Sequence, residues 1–504
     1  MASLSNKIAV GAAWMIGMRL AVRSIGLVST LILLRLLEPR DFGIVAMVTA
    51  VIAAIDALRM FGFDIALIQN QHAGPDEYNT VWTMDLIFGL ASGLIIGLVA
   101  QPAAAFYSEP ALVPLFYVLA AANVIFGLRN VGIVDFRKHL QFDREFLFSV
   151  SIKVVGFIVT VGLAFWLRSY WALVIGMATT TVVNVVLSYA MHPYRPRLSL
   201  VAVRSLFRFS KWIFLNNMSI FIRLRGPDFI IGKLSGTRGL GLFTLAYEVS
   251  NLPTSELVAP INRALLPGFS RISSDIERSG RAFVRAAAVV ALFSLPMAFG
   301  IAATAELIGT VILGEKWLDA VPLLKILALS GAITAILSPI ASALISLGRP
   351  GVVATVSFCN ALVLIPTLIF LTYRYGVYGA AVAVLIVSLV FVPVYFIVGS
   401  RYIRITVRDI ATIFFRPGIS AACMYAVVTA MPGITAYDSA NLALLAVIGA
   451  LVYAACELAL WSIFGRPVDS AETYAFDAGK SLLSRSEPGR RALRFATAVF
   501  GPRR

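Results

Sequence analysis

The sequence predicts an all-α integral membrane protein with about 14 transmembrane helices, in two six-helix pseudo-symmetric lobes plus two C-terminal helices. Three observations predict it. Of the 504 residues, 59% are apolar and only 13% are charged, against about 25% charged in a soluble domain. Apolar runs close to the roughly 20 residues needed to cross a bilayer recur along the whole chain. The loops between them alternate between basic and nearly uncharged, as the positive-inside rule requires.

The apolar runs cover residues 10–34, 43–68, 79–101, 111–134, 146–167, 170–190, 208–232, 240–265, 283–313, 320–346, 352–373, 376–398, 410–431 and 440–464. The first is too long for the apolar region of a secretory signal and reads as a retained span. With the N-terminus in the cytoplasm, the inside segments hold about 25 Lys and Arg residues and the outside segments about 7. One span more or fewer would scramble that alternation, so both termini are read as cytoplasmic. The same loop placement accounts for the formal net charge of +16 without nucleic acid. Cys359, Cys423 and Cys456 all lie within apolar runs and form neither a disulfide framework nor a metal-ligand spacing.

An internal repeat gives the domain organisation. A shift of 198 residues places Trp14 on Trp212, Arg35 on Lys233, Arg40 on Arg238 and Gly43 on Gly241. Six spans separate the copies, an even number, so the halves keep the same orientation and are related by an axis along the membrane normal. Residues 1–198 are then an N-lobe, 199–400 a C-lobe, 401–464 two appended spans and 465–504 a basic tail. The tail is expected on the cytoplasmic membrane surface, where basic residues meet anionic lipid.

These features carry a resemblance. The turn Pro39-Arg40-Asp41-Phe42-Gly43-Ile44-Val45-Ala46 after span 1 is joined by Gly62-Phe63-Asp64-Ile65-Ala66-Leu67-Ile68-Gln69, by the stretch from Phe136 to Arg144, and by Gly314-Glu315-Lys316-Trp317. With the span count and the repeat, the chain resembles the polysaccharide transporter branch of the MOP superfamily. It is most similar there to Wzx-type lipopolysaccharide or exopolysaccharide flippases of bacterial inner membranes. The resemblance implies transfer of an undecaprenyl-diphosphate-linked oligosaccharide from the cytoplasmic to the periplasmic leaflet, with no covalent chemistry and no cofactor. Its partners would be that lipid-linked substrate and the bilayer. A polysaccharide polymerase or export machinery stays an open partner, since nothing in the tail's spacing demands one.

Charges inside the spans are the candidate site, because a charged side chain at a helix centre costs about 2.5 to 3.5 kcal/mol unless it faces a bundle interior or a wet cavity. Arg19 and Arg23 lie four residues apart on one face of span 1. Guanidinium groups stay charged and grip diphosphate oxygens with paired donors. The bland alternative is a structural salt bridge to Asp56 or Asp64 of span 2. Asp56 and Arg59 share a face three residues apart, either as a local ion pair or with Asp56 as a protonatable switch. Asp64 reads as a helix-end contact. Arg223, Arg225 and Asp228 sit in span 7, the equivalent of span 1, around Pro227, which is expected to kink the helix. Arg225 and Asp228 also read as a simple interfacial pair. Glu248 and Glu256 flank Pro253 in span 8 and read either as an ion or proton site or as neutralisers of the span 7 arginines. Asp85, Lys153, Glu306, Lys325 and Glu457 read as snorkelling residues near span ends. Trp317 reads as an interfacial anchor, and His72, His139 and His192 as solvated loop residues.

Substrate binding is therefore assigned to Arg19, Arg23, Arg59, Arg223 and Arg225, and ion coupling, to H+ or Na+, to Asp56, Glu248 and Glu256. The expected mechanism is alternating access, two lobes rocking about a cationic cavity. Two rivals share the fold. A small-molecule antiporter of the same superfamily would want carboxylates in its cavity rather than arginines. A peptidoglycan lipid-precursor flippase would want arginines as well, and the sequence does not separate it. A polymerase or glycosyltransferase would need a large extramembrane loop or domain, for which the closely spaced spans leave no room.

Overall fold

A computed structural model describes residues 4–57, 63–69, 73–253, 275–431 and 437–464, together with isolated positions elsewhere. Among the described residues all regular structure is helical. The chain forms two compact units, Met1–Thr244 and Leu245–Arg504.

In the first unit α1 (Leu4–Leu36) and α2 (Pro39–Ala57) are joined by the short turn read from the sequence. There follow α3 (Phe63–Gln69), α4 (Pro75–Tyr107), α5 (Leu112–Phe126), α6 (Val134–Lys138), α7 (Phe142–Leu167) and α8 (Trp171–Met191). Helix α1 packs on α7, α7 on α8, α8 on α5 and α5 on α4, while α2 lies against α4 and α5. Outward faces stay apolar: Leu94 and Leu98 of α4 and Trp166 of α7 are well exposed, as lipid-facing surfaces must be. The turn at Glu38 is closed by Asp41, whose two carboxylate oxygens accept from the amides of Glu38 (2.9 Å) and Tyr170 (3.0 Å). One aspartate thus fixes the start of α2 and the start of α8.

Helix α9 (Val203–Pro253) runs for 51 residues and is broken at Gly236, where φ is +69°. Helical backbone continues through Pro227, and the break falls between the apolar runs 208–232 and 240–265, at Gly236, where glycine permits a left-handed φ. The helix resumes at Thr237, which is Pro39, the first residue of α2, displaced by the 198-residue repeat. The two copies of the turn also touch. A Cβ on Gly43 would lie 1.7 Å from the carbonyl oxygen of Thr237, and a Cβ on Gly241 would lie 1.9 Å from that of Pro39. Each contact is the repeat image of the other, the reciprocal pattern of a two-fold interface.

The second unit holds α10 (Ile276–Ala303), α11 (Val321–Leu337), α12 (Pro339–Ser346), α13 (Pro350–Ile403), α14 (Val407–Ala430) and α15 (Asp438–Ile463). Helix α10 packs on α11 and α14, α14 on α15 and α11 on α13. Their core combines aromatic, small and branched residues, among them Phe283, Ala287, Val290, Ala332, Ile336 and Ala421. Between α10 and α11 the chain passes through a π turn and a 3-10 turn, Glu315–Ala320. Trp317 sits in the latter and is fully buried, so it fills the interior rather than anchoring at the interface.

Among the described residues nine helices are long and apolar enough to cross a membrane, or ten if Leu112–Phe126 and Val131–Lys138, bent by 69°, make one span. That count takes Pro350–Ile403 as one helix. Its 54 residues would extend about 80 Å, more than twice the hydrocarbon thickness. Gly376, at φ +59°, divides it into two spans as the sequence places them.

One irregular segment is held as firmly as a helix. Residues 192–202 run without regular structure between α8 and the start of α9. Side chains of α4 cap their amides: Asn79 Oδ1 accepts from Arg197 N (2.7 Å), Thr83 Oγ1 from Ser199 N (2.9 Å) and Thr80 Oγ1 from Ala202 N (3.2 Å). Asn130 donates to the carbonyl of Tyr194 at 2.7 Å.

Candidate functional site

Helix α1 carries Arg19 and Arg23 about halfway along its 33 residues, both half-buried. Its partner α7 supplies a third cation to this seam. Lys153 lies about three turns inside α7, and its Nζ is 3.9 Å from where a Cβ on Gly26 of α1 would be. The expectation that Lys153 snorkels from a span end is therefore corrected. It is half-buried beside the arginine helix, in contact with the helix face that carries Gly26. Trp14 of α1 meets Phe146 of α7 edge to face at 5.0 Å, which fixes the pairing of the two helices and so the register of their cations.

Asp56 lies at the end of α2, half-buried. Asn123 of α5 donates from Nδ2 to Asp56 Oδ1 at 3.0 Å, and Ser92 of α4 donates to Asn123 Oδ1 at 3.3 Å. The serine settles which way the amide points, and the amide settles that Asp56 receives a donor. Sequence reading missed Asn123 and Ser92 because neither residue type is rare in a span; only the packing of α2 against α4 and α5 brings them to the carboxylate.

A second polar cluster joins α3, α4 and the end of α5. Arg129 donates to Asp64 at 3.1 Å and stands 3.9 Å from Asp85, with its guanidinium 5.1 Å from the Phe126 ring centre. Asp64, in the first turn of α3, makes a helix-end contact as the sequence suggests. Asp85 is an ion-pair partner three turns into α4, not a snorkelling residue.

Where α4 begins and α8 ends, Asp135 accepts a short hydrogen bond from Tyr78 and lies 3.4 Å from His192 Nε2 and 3.8 Å from His139 Nδ1. The reading of His192 as a solvated loop residue is corrected: its side chain is 14% exposed and it packs edge-on to Phe136. Nδ1 of His192 accepts from Tyr194 N at 3.2 Å, which puts its proton on Nε2, facing Asp135. Burial pushes the imidazole below its ordinary value, with Arg144, Arg195 and His139 adding to that, while Asp135 opposes. The net result is a neutral histidine at pH 7.

The remaining residues assigned from sequence are separate. Arg225 pairs with Asp228 at 3.2 Å on one face of α9, a pairing that the sequence allowed. Glu248 is exposed on α9 in the second unit. Glu457, read as snorkelling, is instead buried in α15. Arg59, Glu256 and the side chain of Arg223 lie outside the described residues. The geometry thus brings Lys153 to the helix of Arg19 and Arg23, and Asn123 and Ser92 to Asp56.

A family model described as polysaccharide biosynthesis protein matches residues 32–322, more than half of the chain. The chain is 25% identical over 410 residues to the lipopolysaccharide biosynthesis protein WzxC of Escherichia coli K12, spanning 79% of this chain and 83% of that one. It is 27% identical over 307 residues to the succinoglycan biosynthesis transport protein ExoT of Rhizobium meliloti, spanning 60% and 62%. Among solved structures, the lipid II flippase MurJ in an inward closed conformation superposes with a TM-score of 0.71 at 12% identity, covering 90% of this chain and 99% of that one. An inward-facing multidrug transporter of the MATE family gives 0.59 at 16% identity, covering 75% and 94%. These two likenesses establish the fold: an all-α, multi-pass membrane protein.

Proposed function

The chain belongs to the polysaccharide biosynthesis protein family, and from that premise we propose that it is a flippase of lipid-linked oligosaccharides in a bacterial inner membrane. It moves undecaprenyl-diphosphate-linked repeat units of O-antigen or exopolysaccharide from the cytoplasmic to the periplasmic leaflet by alternating access. It is a transporter, not an enzyme. Both termini face the cytoplasm, on the strength of the loop charge.

The observation that carries this reading is the family match over residues 32–322. The relatives WzxC and ExoT, named for lipopolysaccharide and succinoglycan biosynthesis, supply the substrate class. The seam of α1 and α7 supplies a chemistry that suits it. A lipid diphosphate carries its charge at the head group, and Arg19, Arg23 and Lys153 offer three cations half-way along spanning helices. Arginine presents a planar fork of donors to phosphate oxygens and cannot be neutralised by proton loss. A cavity meant for cationic drugs would be repelled by the same residues.

Transport against a gradient needs a coupled ion, a proton or sodium. Asp56 is the group assigned to it in the first unit, with Glu248 and Glu256 in the second part of the chain. Asn123 and Ser92 hold the Asp56 carboxylate in one orientation, as a carboxylate that must bind and release an ion repeatedly requires.

A deletion strain should lose surface polysaccharide and accumulate lipid-linked repeat units in the cytoplasmic leaflet. Complementation with Arg19→Ala, Arg23→Ala or Arg223→Ala should fail while the protein remains in the membrane. Full export by all three variants would reject the cationic site.

A further inference from the structure

The second unit carries a concave pocket of about 740 Å³ where α10 and α14 begin. Its chemistry is lopsided. Arg281 and Arg285 project from the first turns of α10, and Arg404, Arg408 and Arg416 come from the turn before α14 and from α14 itself. Only two carboxylates share the lining, Glu277 and Asp409, which leaves an excess of three positive charges. Both acids already have structural work. Asp409 Oδ2 accepts from the amide and the hydroxyl of Thr406 at 2.8 and 2.7 Å, closing the N-terminus of α14. Glu277 accepts from Arg404 at 3.2 Å.

The pocket is also firmly built. Arg404 holds a left-handed backbone at φ +54° between α13 and α14. Gly280 of α10 lies so close to the end of α13 that a Cβ there would be 2.2 Å from the carbonyl oxygen of Ile403. These contacts set the spacing of the two basic helix ends. On one side the lining turns apolar: Phe415 and Phe464 meet edge to face at 6.0 Å, and both are about half exposed. A cationic bowl with an aromatic edge, at the basic ends of two spans, matches a molecule with an anionic head and hydrocarbon beside it.

We propose that this pocket binds the phosphodiester head group of an anionic phospholipid of the surrounding bilayer, its acyl chains running along Phe415 and Phe464. The volume is that of a small-molecule site and accommodates a glycerol phosphodiester. Guanidinium forks recognise the phosphate, and the charge excess distinguishes an anionic lipid from a zwitterionic one. The proposal goes beyond transport and needs only that the chain is embedded in a membrane.

Native mass spectrometry of the full-length chain in detergent, titrated with phosphatidylglycerol or with phosphatidylcholine of matched chains, tests it. The wild type should retain phosphatidylglycerol preferentially. The double variant Arg281→Ala, Arg408→Ala should lower its affinity roughly thirty-fold, about fivefold for each basic residue lost. Arg281→Lys with Arg408→Lys should keep most of the preference, which separates lost charge from lost fold. Equal retention of the two lipids by the wild type, or unchanged phosphatidylglycerol retention by the alanine variant, overturns the proposal. Displacement by inorganic phosphate at equal concentration would assign the pocket to a free anion. Displacement by undecaprenyl diphosphate at equal concentration would assign it to the transport path. Either result overturns the proposal for a resident lipid, and only the latter bears on the flippase reading.

Discussion

The paired turns at Gly43 and Gly241 make a quantitative prediction. In Gly43→Ala the new methyl would sit 1.7 Å from the Thr237 carbonyl oxygen, half the 3.4 Å of ordinary contact. The obstacle is backbone, within a helix that has just restarted after Gly236, so no side chain can rotate away. The turns must separate by roughly 1.7 Å, and overpacking of this kind costs about 3 kcal/mol, the upper end of its usual range. Gly241→Ala, at 1.9 Å from Pro39 O, should cost about as much. The double variant should cost less than the two together, because one separation relieves both clashes. Gly97→Ala is the control: it lies in α4 with nothing within 4 Å, and a helix-interior Gly→Ala there is worth up to about 1 kcal/mol of stabilisation. Thermal unfolding of the purified protein in detergent measures all four. The Gly43 and Gly241 variants should melt roughly 6 °C or more below wild type, and the control at or above it. If Gly43→Ala melts with Gly97→Ala, the reciprocal contact does not exist and the repeat's physical meaning goes with it.

Three further outcomes follow from the site. Asp56→Asn should leave the protein folded and abolish the dependence of export on the proton gradient; unchanged dependence in inverted vesicles would reject Asp56 as the coupling group. Arg129→Ala leaves Asp64 and Asp85 without their shared cation and should destabilise the first unit by about 2 kcal/mol, less than for a fully buried pair, measured as a lowered melting midpoint. His192 has its imidazole pushed down by burial, so the unfolded chain takes up the proton first as pH falls. Its contribution to stability is full above about pH 6.5 and is lost as pH drops below that toward the lowered folded value. His192→Gln should flatten this acid limb of the melting curve, and an unaltered limb would refute the assignment.

The fold class, spans such as 170–190 and 440–464, and the opening turn were legible because they depend on hydropathy and on a turn with few solutions. The site was legible only in part. Arg19 and Arg23 announce themselves, since charge inside an apolar run is conspicuous. Lys153 is equally conspicuous in the sequence, but its meaning depends on α7 lying against α1 at Gly26, and helix pairing is not written in either helix alone. Asn123 and Ser92 carry no charge and give no signal until α2, α4 and α5 come together. The break in α9 falls at Gly236, between the apolar runs 208–232 and 240–265, and helical backbone continues through Pro227. A proline removes one donor and a helix often continues past it, whereas a left-handed φ ends the helical geometry outright. His192 looked solvated because it follows a span, yet Phe136 and Asp135 enclose it.

Residues 192–202 invite misjudgement for the opposite reason. Labelled as coil, they look like a natural place for a tag, a protease site or a change of length. Three of their amides, however, those of Arg197, Ser199 and Ala202, are bonded to Asn79, Thr83 and Thr80 of α4. Deleting or inserting a single residue would slip every downstream pairing by one position. In hydrogen exchange this coil should be slow where a true loop is fast, and in alignments of engineered variants its length, more than its composition, should resist change.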